Sequence, residues 1–199
     1  MHWEFEETQN VRTRRFLKAV CQAATLHARL LNTLSLLEHI GSRKIMACCG
    51  RSLNRDVLQH LAEETRHAFF FKRAAENVSG TPLGFSRSEV LALPQAKNYM
   101  GRLDAFIAKI AKGTDAYVVT SLVVELRAVW FYELYQKILG DAGLPLNLNS
   151  ILAEENKHLA DLSSRTERLD ISLPAIMAFE SERFGILMDG LESSAFAAT

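Results

Sequence analysis

The chain has 199 residues, of which 48% are hydrophobic and 23% charged, a balance that excludes a disordered or collagen-like protein. Lys and Arg together number 23, as do Asp and Glu, so we expect no nucleic-acid partner. The three cysteines have no metal-site or disulfide spacing, and we find neither a signal peptide nor a membrane-spanning apolar run; we therefore expect one cytoplasmic domain over residues 1–199 with no membrane partner.

The first half of the chain is predicted to form two long helices and then a long connection. A first helix is expected over about 8–48, where Gly41 is the only glycine and proline is absent, and a second over about 52–78. Glycines and prolines after residue 78 predict a crossover over 79–114, with a helical stretch inside it.

The second half is predicted to contain three more helices. They span about 115–139 and about 145–168, with an extra C-terminal helix over 173–190. Two helical pairs joined by one long connection predict an all-α fold, a four-helix bundle with one long crossover plus a C-terminal helix.

A seven-residue segment occurs twice, once in the second predicted helix and once in the fourth. Residues 61–67 read LAEETRH and residues 152–158 read LAEENKH. Residues three positions apart lie on one face of a helix, so each copy can offer a carboxylate and an imidazole to one metal ion. The two Glu-x-x-His motifs are Glu64 with His67 and Glu155 with His158.

Single carboxylates stand in apolar stretches of the first and third predicted helices. Glu38 is the only acidic residue between positions 8 and 55, and Glu125 is the only one between positions 115 and 133. A carboxylate is costly to bury unless it is paired or bound to a metal. Four glutamates balance the charge of two divalent cations, so the sequence predicts two metal ions and six ligands: Glu38, Glu64, His67, Glu125, Glu155 and His158.

The order of these residues resembles that of the ferritin-like di-iron carboxylate superfamily, which includes bacterioferritin, rubrerythrin and the aldehyde-deformylating oxygenase. The resemblance covers about residues 8–168 and does not identify a member. It implies that Glu64 and Glu155 bridge two Fe ions, with Mn or a mixed Fe/Mn pair as an alternative. It also implies that each metal has its own terminal Glu and His, Glu38 with His67 and Glu125 with His158.

Two further residues share the predicted metal face. His60 stands seven positions before His67 and is either an extra ligand or a residue that packs beside the site or hydrogen-bonds a ligand. Tyr132, two turns after Glu125, is a candidate catalytic residue, with hydrogen bonding to a ligand or core packing as alternatives. A substrate cavity is predicted along this face, lined by Leu31 or Leu34, Phe71, Val118, Leu122, Tyr132 and Ile151 or Leu162.

Other polar residues are predicted to have structural roles. Glu63 and Glu154, which precede the motif glutamates, are expected in surface or inter-helix ion pairs, and His27 and His39 are expected to be structural or exposed. The basic residues of the first 55 positions form either a solvated helix face or a docking surface for an acidic electron-donor protein.

The resemblance implies a di-iron enzyme that activates O₂ to oxidise a small or hydrophobic organic substrate. Electrons would come from an external reductase or ferredoxin, and a homodimer is left open. The first alternative is a ferroxidase or iron-handling protein, for which iron itself is the substrate. The second is a non-catalytic helical interaction protein.

Overall fold

The computed structural model describes residues 3–49 and 54–196, and within them it contains seven helices and no strand, which confirms the all-α prediction. The helices are α1 (Glu7–Cys21), α2 (Ala24–Cys49), α3 (Arg55–Ser79), α4 (Leu93–Ile107), α5 (Gly113–Asp141), α6 (Asn149–Thr166) and α7 (Leu173–Phe196). The predicted start of the second helix at residue 52 and the side chains of Cys48 and Cys49 lie outside the described residues.

The first predicted helix is two helices, so the single helix over 8–48 is wrong. The chain turns at Gln22, whose N–H donates to Ala19 at 3.3 Å, and the helix then restarts at Ala24. Neither proline nor glycine marks this break. Its cause is tertiary: α1 packs on α5 and α7, whereas α2 pairs along its length with α3.

Four helices carry the predicted ligands and pack as two neighbouring pairs, α2 with α3 and α5 with α6. The connection between the pairs runs from Gly80, whose positive φ of 72° ends α3, to the start of α5 at Gly113. It contains α4, which packs on α7 and on α2. α6 is shorter than predicted, because the segment around Pro145 is not helical, and α7 continues six residues beyond residue 190.

A buried ion pair that the sequence did not reveal attaches α7 to the rest of the fold. The Arg127 guanidinium on α5 donates two hydrogen bonds to the Glu180 carboxylate on α7, at 2.6 and 2.8 Å. Tyr99 of α4 donates to the same carboxylate at 2.7 Å. The rings of Phe5 and Phe184 lie 3.9 and 4.0 Å from the guanidinium carbon. Three helices are therefore joined at one charged contact.

Among the described residues, no helix combines the length and the apolar character needed to cross a lipid bilayer.

Replacing Glu180 with alanine is expected to destabilise the protein by about 3–5 kcal/mol, because the buried Arg127 guanidinium would lose its anionic partner. Urea unfolding measures the change. Glu182→Ala is the matched control, since Glu182 lies on the same helix with its side chain 62% exposed and is expected to alter stability by about 0–1 kcal/mol. Equal effects of the two substitutions would contradict the structural role of the pair.

Candidate metal centre

The structure brings the six predicted ligands together in the interior, at the centre of α2, α3, α5 and α6. Every one of them is less than a tenth exposed to solvent. Each of the four helices contributes at least one carboxylate, as the charge argument required. The six are Glu38 on α2, Glu64 and His67 on α3, Glu125 on α5, and Glu155 and His158 on α6.

The ligand atoms form two groups that have one residue in common. In the first group, atoms of Glu38, Glu64, His67 and Glu155 all lie within 4.8 Å of one another. The second group meets the same limit and consists of His60, Glu64, Glu125 and His158. Glu64 belongs to both groups, which is the position that a carboxylate bridging two cations requires.

Glu155 also lies between the two groups. Its Oε1 is 2.9 Å from Nδ1 of His67, and its Oε2 is 3.1 Å from Nδ1 of His158. The two oxygens of one carboxylate therefore face the two Glu-x-x-His imidazoles. This arrangement is compatible with the bridging role that the resemblance implies for Glu155.

The outer nitrogens of the two imidazoles are held by a reciprocal pair of contacts between α3 and α6. Nε2 of His67 lies 2.8 Å from Glu154, and Nε2 of His158 lies 2.7 Å from Glu63. A carboxylate on the outer nitrogen fixes the tautomer and turns the other nitrogen toward a metal. The prediction that Glu63 and Glu154 form ion pairs between helices is thus confirmed. The sequence did not show that these two acids also orient the imidazoles.

His60 is part of the centre. Its Nε2 lies 3.0 Å from Oε1 of Glu125 and 3.5 Å from Oε1 of Glu64. Its Nδ1 is hydrogen-bonded to the Tyr117 hydroxyl at 2.7 Å. One nitrogen therefore faces the ligand atoms while the other is fixed from outside, as in the two motif histidines.

Tyr132 is buried beside the first group, and its hydroxyl donates a hydrogen bond to Glu38. Burial raises the pKa of Tyr132 well above its usual value, and the adjacent Glu38 charge adds to the effect. The phenol therefore keeps its proton at neutral pH and can donate it in a hydrogen bond to Glu38.

The carboxylates respond differently to this shared burial. Burial raises the pKa of Glu38 well above its usual value, and the charges of Glu64 and Glu155 raise it further. Burial and the charge of Glu125 likewise raise the pKa of Glu155. Burial opposes the charged form of Glu125 as well, but hydrogen bonds with His158 and His60 outweigh it and lower the pKa.

The three histidines all bind protons more tightly than a free imidazole. Burial alone would lower each pKa, but hydrogen bonds to Glu125 and Glu64 raise the pKa of His60 to about 11. Contacts with Glu125 and Glu155 raise that of His158 to about 11, and Glu155 raises that of His67 to about 9. Without metal, protons on these rings balance part of the carboxylate charge.

Two buried atoms of the first group have no hydrogen-bond partner, namely Oε1 of Glu64 and Nδ1 of His67. Glu155 is 2.9 Å from that nitrogen, but the angle does not suit a hydrogen bond. Buried polar atoms are nearly always hydrogen-bonded, and a cation bound between these two atoms, which lie 3.9 Å apart, would satisfy both. Carboxylates combined with imidazoles suit Fe and Mn. The residues therefore fit a pair of divalent metal ions.

Gly41 leaves space for the shared carboxylate. A Cβ at this position of α2 would lie 3.1 Å from Oε2 of Glu64, closer than ordinary van der Waals contact, and would meet nothing else within 4 Å. Glycine is unfavourable in the interior of a helix. The approach of Glu64 is the feature of the structure that accounts for a glycine here.

An apolar cavity of about 90 Å³ adjoins Glu38 and Glu64, between α2, α5 and the two outer helices α4 and α7. Of the residues predicted to line a cavity, Leu34 and Tyr132 do so. Leu34 satisfies the alternative of Leu31 or Leu34, and Leu162 lines a second opening at the other end of the centre. The prediction was wrong for Phe71, Val118, Leu122 and Ile151, which are buried in the core where the ligand-bearing faces meet.

A second, polar opening of about 280 Å³ reaches the other end of the centre between α3 and α6. His60 and His158 line it together with Asp56, Glu63 and Asp161. The metal-binding residues are thus approached from an apolar side, next to Glu38, and from a polar side, next to the second group.

The remaining polar residues have the structural roles predicted for them. His27 is buried and bonds the Tyr135 hydroxyl at 2.5 Å through Nε2, and His39 is exposed with its ring stacked on Phe85. Burial lowers the pKa of His27 and raises that of Cys21 to about 11. At neutral pH both groups are therefore uncharged.

We expect the metal-free protein to lose stability as the pH rises. The three histidines have folded-state pKa values of about 9 to 11, against about 6.5 unfolded. A raised folded pKa contributes stability that is fully present below pH 6.5 and is lost as the pH passes through 9 and toward 11. Thermal melts of metal-free protein at pH 6.5 and pH 10 measure this. The metal-loaded protein is the control, and an equal loss in both would contradict the assignment.

Gly41→Ala tests the contact with Glu64 in the metal-free protein. Gly185→Ala, in the interior of α7 with nothing within 4 Å of its Cβ position, is expected to stabilise by about 1 kcal/mol through helix propensity. Gly41→Ala is expected to gain nothing, because its Cβ crowds Oε2 of Glu64.

The same substitution in a Glu64→Ala background should recover the gain of about 1 kcal/mol. Urea unfolding of the four proteins of this double-mutant cycle measures the coupling. Additive effects would show that Gly41 has no role through Glu64.

The chain matches no model of a protein family, no curated protein and no solved structure. The case for a metal centre therefore depends on the residues and distances described above.

Proposed function

We propose that the protein is a ferritin-like di-metal enzyme that uses O₂ to oxidise a small apolar organic substrate. One observation carries this proposal: two buried groups of ligand atoms, drawn from four helices, share Glu64 and are spanned by Glu155. A crossover helix between the two helical pairs supports the ferritin-like arrangement.

Two iron ions are the metal pair that best combines this donor set with O₂ chemistry, and Mn or a mixed pair is the alternative. When bound, such a pair supplies the electrons that reduce O₂. The chain supplies the surroundings: Glu64 and Glu155 span the two positions, and Glu63 and Glu154 turn the imidazoles inward. Tyr132 holds a proton at Glu38, on the cavity side of the centre.

The apolar cavity favours an organic substrate over iron as substrate. It adjoins Glu38 and Glu64, so a molecule inside it is placed against the candidate ligands and among apolar side chains. The polar opening beside His60 and His158 supports the second candidate, a ferroxidase, because its polar walls suit the passage of hydrated ions. Its charged lining residues are Asp56, Glu63 and Asp161 together with Lys157 and Arg165. The two candidates differ in what happens after the first oxidation.

Catalysis of this kind requires an external electron donor, such as a reductase or ferredoxin. Three basic residues of α1, Arg14, Arg15 and Lys18, are exposed on one part of the surface. A basic surface of this kind complements an acidic donor and speeds the encounter through electrostatic steering. We propose that an acidic donor docks on this face of α1.

Anaerobic addition of Fe²⁺ should give two ions per chain, held about 3.5–4 Å apart as in other two-metal sites. Glu64→Ala should lose both ions, because the residue contributes to both groups. Elemental analysis measures the stoichiometry, and Glu133→Ala, an exposed acid on α5, is the control that should keep both. A stoichiometry of one or zero in the unaltered protein would refute the di-metal proposal, and a stoichiometry of zero would favour the non-catalytic interaction protein.

Admission of O₂ to the Fe²⁺-loaded protein then separates the two enzymatic candidates. An oxygenase oxidises its own two ions and stops, whereas a ferroxidase continues to oxidise Fe²⁺ supplied in excess. Optical spectra and O₂ consumption follow the reaction. Sustained oxidation of excess Fe²⁺ would support the ferroxidase and count against an organic substrate.

A further inference from the structure

The apolar cavity has a wall made by helices that contribute no metal ligand. Leu187 and Leu191 of α7 and Met100 of α4 close the side that faces away from the centre. The opposite side is formed by α2 and α5, with Glu38, Glu64 and Tyr132 at one end. Access to the centre from this side therefore depends on α4 and α7.

The polar side chains around the cavity are already bonded within the protein. Thr33 donates to the Arg29 carbonyl at 2.8 Å and accepts from the Leu91 N–H at 2.9 Å. Tyr99 and Arg127 both donate to Glu180.

Tyr132 donates to Glu38. Of the polar groups that line the cavity, the Glu64 carboxylate at the metal end is the one with an unpartnered buried oxygen. The Arg127 guanidinium in the wall is already paired with Glu180. The lining residues therefore offer no free hydrogen-bond donor to hold a charged or strongly polar ligand, and burying such a ligand would carry an uncompensated desolvation cost.

The size of the cavity limits what enters it. An apolar cavity of roughly 150 Å³ stays dry and binds benzene or xenon. The cavity here measures about 90 Å³. A molecule smaller than benzene fits without movement of the walls, and a benzene-sized ring requires the removal of a wall side chain.

The packing of α7 on α4 holds together the two helices that carry Leu187 and Met100. A Cβ at Gly190 would lie 2.6 Å from Cγ of Gln95, so the two helices approach as closely as glycine permits. The buried contact of Arg127 and Tyr99 with Glu180 holds the same helices together. The wall is therefore fixed by packing and by charge.

We propose that this cavity is a binding site for an uncharged apolar molecule smaller than benzene, and that Leu187 sets its size limit. That this molecule is the substrate rests on the proposed function. The binding itself requires no metal. The cavity is formed by protein side chains, so the site should also exist in the metal-free protein.

Xenon is the probe for the site, located by diffraction from pressurised crystals of metal-free protein. The unaltered protein should bind xenon between Leu34 and Leu187. Leu187→Phe should lose that site because the ring fills the cavity. Ile186→Phe is the matched control, since it adds the same ring at the neighbouring, 39% exposed position of α7, and should keep xenon. Absence of xenon from the unaltered protein, or its retention in Leu187→Phe, would overturn the proposal.

Benzene tests the size limit, and benzoate tests the requirement for an uncharged ligand. Leu187→Ala should bind benzene, detected by ligand-observed NMR, whereas the unaltered protein should not. Neither protein should bind benzoate in the cavity, because Glu180 occupies the Arg127 guanidinium. Binding of benzoate to the unaltered protein that displaces xenon would overturn the assignment to an apolar ligand.

The outcomes separate this inference from the proposed function. Two metal ions per chain without a xenon site would retain the di-metal proposal and remove the cavity proposal. A xenon site in a chain that binds no metal would retain the cavity proposal and remove the di-metal proposal.

Discussion

The structure depends on the burial of four carboxylates in a helical interior. Glu38, Glu64, Glu125 and Glu155 lie within two overlapping groups, and none has solvent to stabilise its charge. Burial of unpaired charge is among the largest costs in protein folding, so positive charge must enter with them. In the metal-free protein protons meet part of this need, which is why the pKa values of the histidines and of Glu38 are raised. Metal ions bound here would replace those protons, which would link metal affinity to pH.

The centre has an approximate two-fold organisation that follows from the sequence repeat. The motif of α3 contributes Glu64 and His67, and that of α6 contributes Glu155 and a second histidine at the equivalent position. The acid before each motif glutamate bonds the histidine of the other motif. His60 breaks the symmetry, because it joins the second group and has no counterpart of the same type at position 151 on α6. The two metal positions therefore differ in charge as well as in ligands: the second group gains an imidazole where the first has another carboxylate.

The sequence predicted the centre better than its surroundings. A Glu-x-x-His motif has a fixed geometry on a helix, and a single acid in an apolar stretch has few ways to be stabilised, so local pattern identified six residues that the structure brings together. The break between α1 and α2 follows from the different helices that the two segments pack against. The residues around Gln22 include no glycine or proline that would indicate it. The same limit applies to Arg127 and Glu180, whose positions 53 residues apart carry no periodic signal. The cavity was misplaced because helical phase shows which residues face the bundle centre but cannot show where packing is incomplete.

Incomplete packing arises here where helices outside the ligand-bearing four must cover them. Side chains of α2 and α5 point to the centre, as Glu38 and Glu125 do. Gly41 has no side chain and therefore leaves space for Glu64. The covering helices α4 and α7 are instead fixed to each other at Gly190 and to α5 through Glu180. Because these attachments lie outside the ligand set, side chains on α7 such as Leu187 can vary in size without altering a metal ligand. The candidate metal ligands and the outer wall of the cavity thus lie on different helices.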